Sequence, residues 1–311
     1  MTLFAGHVPP VFDARDTARL LDFSKLMGAV ELAARELDAG AICSPPRQAV
    51  PLTDSGVLLS MPASASDIAV HKLSTVQPAN SRVNLPAIQG IVTVCDAITG
   101  APLCILDGPE VTGRRTAAVS LVAMRHLLGH APGEVLLYGT GAQARFHIEA
   151  FRAVFPTTQV WVRGRNSTRT AAFCDSARRV HSGVSPCPAG VPERVEVVIT
   201  LTTSQQPVYD EPARRNRVII GVGAFRPDMA EIGATTLSGS DTYADDPAGA
   251  RHEAGDLLRV AVNWSAVRSL GRLLDETEPR VRPAVFKSVG TAAWDLAAAR
   301  VALQSLHAPS R

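Results

Sequence analysis

Two glycines that follow a short apolar run form the most informative chemical pattern of the chain. Residues 135–138 are apolar, Gly139, Thr140 and Gly141 follow them, and Ala144 replaces the third glycine of the dinucleotide-binding pattern. In a strand-turn-helix unit, such a turn lets the backbone approach a pyrophosphate, which the first N–H groups of the helix bind. A glycine-containing turn without a ligand is the alternative, and the flanking strand and helix patterns favour the nucleotide site.

The turn after the next predicted strand carries two arginines where NAD-binding units usually have an acidic residue. Residues 159–162 form that strand, and Arg163 and Arg165 follow it, with Asn166 and Ser167 as further donors and a helix cap. A carboxylate at this place binds the ribose 2′-hydroxyl, whereas guanidinium groups bind a 2′-phosphate. The alternative is a solvated basic turn. The pattern therefore favours NADPH over NADH as the cofactor of an oxidoreductase.

A lysine stands within an apolar strand pattern. Residues 67–74 alternate, which puts Val70, Lys72 and Ser74 on one face of the predicted strand. Burial of an ammonium group without an anion is costly, so Lys72 either extends to water or meets a carboxylate. Both outcomes are open from the sequence.

A second candidate anion site opens the helix that we predict after Thr112, its N-cap. Arg114 and Arg115 lie in the first turn, where free N–H groups and the helix dipole favour an anion. An arginine here can bind a carboxylate through two parallel hydrogen bonds. For Arg114 a surface ion pair is the favoured interpretation.

Two different kinds of structure must position these residues. A helix is predicted first, with Asp16 as its N-cap and Gly40 at its end. Short β-type runs separated by turns follow as far as about residue 107 and predict an antiparallel or mixed sheet. These runs are residues 57–61, 67–74, 88–96 and 103–106.

From residue 135 strands and helices alternate, which is typical of a parallel sheet with crossover helices. The predicted strands are residues 135–138, 159–162, 195–201 and 218–222, and the predicted helices are residues 142–154 and 167–180. The pattern predicts a surface loop at residues 181–192 and a final helix at residues 291–306. A chain of 311 residues predicts two domains.

The composition excludes several classes of function. Hydrophobic residues make up 46% of the chain and charged residues 19%, which is typical of globular proteins. The net charge is +2 without basic clusters, so we expect no nucleic-acid partner. No segment approaches about 18 uninterrupted apolar residues, so we expect no membrane span. The five cysteines form no CxxC pair, and we expect no metal site, no disulfide framework and a cytoplasmic protein.

These motifs, taken in order, resemble the ornithine cyclodeaminase/μ-crystallin family. The resemblance covers about residues 47–300 and rests on Lys72, on LDGPEVTGRRTAA at 106–118, on GTGAQ at 139–143 and on VFKSVG at 285–290. Shorter matches are Met61-Pro62, DAITG at 96–100 and EAG at 253–255.

The resemblance implies an α/β protein with a Rossmann dinucleotide-binding domain and an α+β domain for substrate binding and dimerisation. The α+β domain is expected at residues 1–114 with 285–311, and the Rossmann NADP-binding domain at residues 115–284. The resemblance also implies a homodimer.

Site residues are implied by the same resemblance. Arg47, Lys72 and Arg115 are expected to surround a substrate carboxylate. The residues expected near the cofactor are Ala142, Gln143, Thr202, Gly223 and Ser288.

One departure from the family pattern bears on the reaction. Cyclodeaminases carry an acidic residue six positions before the glutamate that corresponds to Glu231, and this chain has Phe225 there. The segment around Phe225 and the arginine-rich turn resemble instead the ketimine-reductase branch of the family.

The expected reaction is therefore the NADPH-dependent reduction of a cyclic imino acid, Δ1-pyrroline-2-carboxylate to L-proline or Δ1-piperideine-2-carboxylate to L-pipecolate. Arg115, Arg47 and Lys72 bind the carboxylate, and the nitrogen takes its proton from Lys72 or from water. Asp228 is expected to cap its own segment. Three alternatives stay open: an alanine-dehydrogenase-like enzyme that uses a 2-oxo acid and ammonia, an ornithine cyclodeaminase, and a non-catalytic NADPH-dependent binding protein like μ-crystallin.

Overall fold

The computed structural model describes residues 8–278 and 280–308. In this part of the chain the helices are α1 (Ala14–Leu20), α2 (Phe23–Asp38), α3 (Gly108–Leu128), α4 (Ala142–Val154), α5 (Ser167–Ala177), α6 (Ala234–Ser238), α7 (Pro247–Glu253), α8 (Gly255–Arg259), α9 (Leu270–Asp275) and α10 (Ala292–His307). The strands are β1 (Gln48–Pro51), β2 (Val57–Ser64), β3 (Ile68–Val76), β4 (Ile88–Asp96), β5 (Pro102–Asp107), β6 (Glu134–Tyr138), β7 (Gln159–Arg163), β8 (Val184–Pro186), β9 (Val197–Thr200), β10 (Val218–Gly221), β11 (Asp241–Ala244), β12 (Arg268–Ser269) and β13 (Ala284–Lys287).

The chain folds into two compact units. The first unit comprises Met1–Thr116 and Thr291–Arg311, and the second comprises Ala117–Gly290. This differs from the sequence-based boundary, which put residues 285–290 with the first domain. The physical reason is that β13 pairs in parallel with both β10 and β11, so it belongs to the sheet of the second unit.

The first unit is built on an antiparallel sheet of β1 to β5 in chain order. Helix α10 packs on α2 and on strands β2 and β3. The side chains of β3 alternate between the faces of the sheet, because Val70, Lys72 and Ser74 are buried whereas His71 is exposed. The predicted alternation is confirmed, and it places Lys72 inside the unit.

Aspartates begin the helices α1, α2 and α3, but at other positions than predicted. The side chain of Asp13 accepts the N–H of Asp16 at 2.8 Å, so Asp13 is the N-cap and Asp16 lies in the first turn of α1. A second cap, Asp22, begins α2 separately. In the same way Asp107 accepts the N–H of Glu110 at 2.7 Å, so α3 begins before Thr112. Local capping bonds set these helix starts.

The second unit is built on a parallel sheet in the order β12-β11-β13-β10-β9-β6-β7-β8. Its central strands β9, β10 and β13 are buried along their whole length. The chain runs outward from β6 through β7 to β8 and then returns to β9 on the other side of β6, so the strand order reverses there. Ligands of such sheets bind at the carboxyl ends of the strands beside the reversal. The predicted α/β class with a Rossmann domain is confirmed.

The segment at residues 181–192, which was predicted to be a surface loop, also contains a strand. It contains β8, which pairs in parallel with β7 at the edge of the sheet. Pro186 ends this strand, where the missing N–H costs the sheet nothing because no further strand follows.

Candidate functional site

Three charged side chains meet inside the first unit. The ammonium nitrogen of Lys72 lies 3.1 Å from Oδ1 and 2.8 Å from Oδ2 of Asp295. The guanidinium Nε of Arg115 donates to Oδ1 of the same carboxylate at 3.2 Å. Lys72 is 3% exposed, Arg115 5% and Asp295 0%. Because water is excluded from these groups, the attraction between the shared carboxylate and the two cations is screened only weakly.

Each of the three residues comes from a different element. Lys72 points inward from β3, Arg115 lies in the second turn of α3, and Asp295 lies in the first turn of α10, whose N-cap is Thr291. The open question about Lys72 is thereby answered, since it meets a carboxylate. Asp295 was missed from the sequence, although an acidic residue in an alanine-rich apolar helix is a signal that could have found it.

The cluster holds two cations and one anion, and a third cation acts on it. Burial, together with the charges of Arg115 and Arg47, lowers the pKa of Lys72 to about 8, although the charge of Asp295 and its hydrogen bond raise it. Arg47 is half-buried on the segment before β1. The arrangement thus brings together the three residues expected at the substrate carboxylate, with an excess of positive charge that an anionic ligand would balance.

Arg114 does not join this cluster. Its Nε donates to Glu110 at 2.6 Å, and its guanidinium lies 4.7 Å from the centre of the Phe23 ring. The ion pair expected for Arg114 is therefore present, although both partners are largely buried.

The glycine turn of the second unit has the backbone that a dinucleotide requires. Gly139 has φ +124°, and a Cβ there would lie 2.7 Å from the carbonyl oxygen of Leu201. Gly141 precedes α4, whose N-terminus has no side-chain cap, and a Cβ at Gly141 would meet nothing within 4 Å. The space beside Gly141 at the uncapped start of α4 is therefore open, which fits a pyrophosphate.

A buried polar atom beside this turn also lacks a partner. Oε1 of Gln143 makes no hydrogen bond to any residue in the described ranges. A buried amide oxygen without a donor is costly, so a ligand donor at this place would be favourable. Gln143 therefore fits the role that the resemblance implies for it.

A buried carboxylate joins the ends of β9 and β10. Glu231 accepts the N–H groups of Thr202 at 2.5 Å, of Gly223 at 2.6 Å and of Ala224 at 3.0 Å. Burial raises the pKa of Glu231, while the charge of Lys287 and the bond from Thr202 oppose the rise. Gly223 has no space for a side chain, because a Cβ would lie 1.9 Å from the carbonyl oxygen of Thr202.

The end of β13 is held in a similar way. Asp245 accepts the hydroxyl of Ser288 at 2.8 Å and the N–H groups of Val289 and Gly290 at 2.8 and 2.9 Å. Lys287 and Asp256 form an ion pair of 2.8 Å in which both side chains are fully buried. Sequence reasoning assigned no role to these carboxylates, which hold the loops that carry Thr202, Gly223 and Ser288.

The two arginines of the predicted 2′-phosphate site differ in the structure. Arg163 donates to the hydroxyl of Tyr138 at 3.2 Å, to Sγ of Cys187 at 3.1 Å and to the carbonyl oxygen of Pro188 at 2.6 Å, and it also donates to Gly190. The guanidinium of Arg163 is therefore bonded largely to the segment after β8, which the sequence did not predict, and phosphate binding by Arg163 stays a prediction.

Arg165, in contrast, is exposed and makes no hydrogen bond or ion pair with the residues that the structure describes. Asn166 next to it caps α5, because its Oδ1 accepts the N–H of Arg169 at 2.9 Å. The sequence predicted a helix cap at Asn166 or Ser167, and Asn166 provides it.

Other candidate groups have structural partners. Asp228 is exposed and pairs with Arg226 at 2.8 Å rather than capping a helix. His147 lies between the carbonyl oxygen of Gln143 and the hydroxyl of Ser120, and burial lowers its pKa to about 4. His71 lies on the exposed sheet face, 2.8 Å from the hydroxyl of Ser60.

The described residues show no further site of two kinds, a metal site or a membrane-spanning helix. All five cysteines are free, and no group of three or more metal-binding side chains occurs within residues 8–278 and 280–308. Over the same residues no helix has the length and apolar character of a membrane span.

Known proteins with similar sequences share one family. The family model of the ornithine cyclodeaminase/mu-crystallin family matches residues 8–309. The chain is 50% identical over 301 residues to Delta(1)-pyrroline-2-carboxylate reductase 1 of Burkholderia multivorans, with 96% of each chain covered. It is also 50% identical over 300 residues to the Delta(1)-pyrroline-2-carboxylate/Delta(1)-piperideine-2-carboxylate reductase of Azospirillum brasilense, again with 96% of each chain covered.

A solved structure shares the fold. The Delta(1)-pyrroline-2-carboxylate reductase of Thermococcus litoralis, in complex with NADH and L-proline, matches with a TM-score of 0.85 and 23% identity. The match covers 95% of this chain and 97% of that chain. The resemblance of the motifs is confirmed, and the chain belongs to the ornithine cyclodeaminase/mu-crystallin family.

Proposed function

We propose that this chain catalyses the NADPH-dependent reduction of a cyclic ketimine carboxylate, Δ1-pyrroline-2-carboxylate or Δ1-piperideine-2-carboxylate, to the cyclic amino acid. The observation that carries the proposal is the buried cluster in which Lys72 and Arg115 share one carboxylate. An excess of buried positive charge suits a small carboxylate ligand. Two relatives of 50% identity support the choice of substrate, since one is named as a reductase of the pyrroline carboxylate and the other as a reductase of both imines.

The residues of the cluster have separable roles in this proposal. Arg115, together with Arg47, binds the substrate carboxylate and so fixes which face of the ring is presented for reduction. Lys72 gives a proton to the ring nitrogen. Its pKa of about 8 leaves the ammonium group mostly protonated at neutral pH and makes it a better proton donor than an ordinary lysine.

The second unit would hold the cofactor at the carboxyl ends of its strands. A bound reduced nicotinamide supplies the hydride that the imine carbon accepts. The uncapped start of α4 would receive the pyrophosphate, with Thr140, Ala142 and Gln143 around it. Thr202, Gly223 and Ser288 would line the site on loops held by Glu231 and Asp245.

The reaction is tested by steady-state kinetics with both cyclic imines, each with NADPH and with NADH. We expect oxidation of NADPH that does not depend on added ammonia, because the carbon–nitrogen double bond is already present in the substrate. Pyruvate with ammonia, and L-ornithine with NAD⁺, serve as the comparison substrates. Turnover with either of these but with neither cyclic imine would contradict the proposal.

Replacement of Lys72 separates catalysis from cofactor binding. Lys72→Met should lower kcat/KM for the cyclic imine at least about 100-fold, because it removes both a proton donor and part of the anion site. The Kd for NADPH should change by less than about threefold, since Lys72 lies in the other unit. The exposed Lys25→Met is the matched control. Equal losses of catalysis and NADPH affinity would show that Lys72 has another role.

Arg165 is the proposed ligand of the 2′-phosphate of NADPH. Arg165→Ala should weaken NADPH binding by at least about tenfold, or about 1.4 kcal/mol, while NADH binding stays the same. Isothermal titration with both nucleotides measures the difference. Arg179→Ala removes the same charge from an exposed position beyond the end of α5 and should have no such effect. An unchanged ratio of the two Kd values in Arg165→Ala would exclude this role.

The outer face of the first unit's sheet is the proposed homodimer contact. Strand register puts Val50, Leu58, Leu73 and Ile91 on the face opposite Lys72, and Val50 and Ile91 are 52% and 41% exposed. A second copy of this chain would cover these apolar side chains. Ile91→Lys should therefore give monomers in sedimentation velocity, whereas Ile98→Lys, at a turn position that is 87% exposed, should not. A monomeric wild type would refute the contact.

A further inference from the structure

Asp295 is a fully buried carboxylate to which neither the sequence motifs nor the proposed reaction assigns a role. It lies 223 residues from Lys72 and 180 residues from Arg115 along the chain, and the fold brings all three together. Its Oδ1 accepts from both cations, and its Oδ2 lies 2.8 Å from the ammonium nitrogen. A single carboxylate therefore sets the positions of both cations relative to each other.

We propose that Asp295 is the positioning residue of the substrate site, which holds the ammonium group of Lys72 and the guanidinium group of Arg115 on one carboxylate so that both reach the same ligand. This inference rests on the proposed function. It adds a residue that does not touch the substrate but acts through the two residues that do.

The electrostatics give this arrangement a second consequence. The charged groups that act on Lys72 are Asp295 of α10, Arg115 of α3 and Arg47 of the segment before β1. Burial and the two arginines lower the pKa of Lys72, and only Asp295 opposes them. Without Asp295, the pKa of Lys72 would therefore fall further.

A purely structural ion pair would not produce this dependence. Buried ion pairs are often no more stabilising than apolar side chains of similar size, because removal of the charges from water is costly. A structural role would affect the unfolding transition and leave the titration of catalysis unchanged. The two roles can therefore be distinguished by a pH profile.

The test is the pH dependence of kcat/KM for Δ1-pyrroline-2-carboxylate, which reports groups of the free enzyme. In the wild type the activity should fall above about pH 8, because Lys72 must be protonated. In Asp295→Asn this fall should move at least about one pH unit lower, and in Arg115→Gln it should move higher, because a repelling charge is lost. Titration of the substrate is common to all variants and cannot produce shifts of opposite sign.

Asp67→Asn is the matched control. Asp67 binds Arg300 of α10 through two hydrogen bonds of 2.8 Å in the same unit, but it does not contact Lys72. Its profile should match the wild type. Circular dichroism and NADPH affinity show whether each variant is folded. If Asp295→Asn does not fold, the pH profile of Arg115→Gln tests the proposal instead.

The outcomes separate the two proposals. A wild type that reduces neither cyclic imine contradicts the proposed function itself. An active wild type whose alkaline fall stays at the same pH in Asp295→Asn, or in Arg115→Gln where that variant decides, contradicts only the role of Asp295.

Discussion

The carboxylate of Asp295, shared between two buried cations, sets the charge balance of the first unit. With no carboxylate there, Lys72 and Arg115 would repel each other in a medium of low polarity, and the pKa of the lysine would fall. With two carboxylates, the charges would cancel and an anionic ligand would gain little. One carboxylate leaves positive charge in excess, and such an excess favours the binding of a small acid.

The second unit uses buried carboxylates for a different purpose. Glu231 and Asp245 accept backbone N–H groups from the loops that follow β9, β10 and β13. Such charge-assisted bonds hold a loop in place without side-chain packing. Gly223 lets the loops after β9 and β10 approach each other, because a Cβ there would collide with the backbone of Thr202.

The features that could be predicted from the sequence are those set by local interactions. The inward direction of Lys72 follows from alternation along one strand, and the turn at Gly139 follows from its neighbours, so both were found. Asp295 could not be paired with Lys72, because only the packing of α10 on β3 brings them together. Strands β8 and β12, with three and two residues, are too short to show a periodic pattern.

The surroundings of Arg163 could not be predicted for the same reason. The residue lies after β7 as predicted, but the carbonyl oxygens that it binds belong to the segment that follows β8. A local pattern identifies a basic side chain at the right place without showing which acceptors surround it. Arg165, two residues further on, has no such acceptors among the described residues.

The division of the chain has a consequence for its synthesis. The first unit combines residues up to Thr116 with residues from Thr291 onward, and α10 from that last segment carries Asp295. A nascent polypeptide can complete the parallel sheet of the second unit as soon as β13 has emerged from the ribosome. Lys72 and Arg115, although translated much earlier, receive their counter-charge only when the last helix docks, so the buried charge cluster is completed after the parallel sheet.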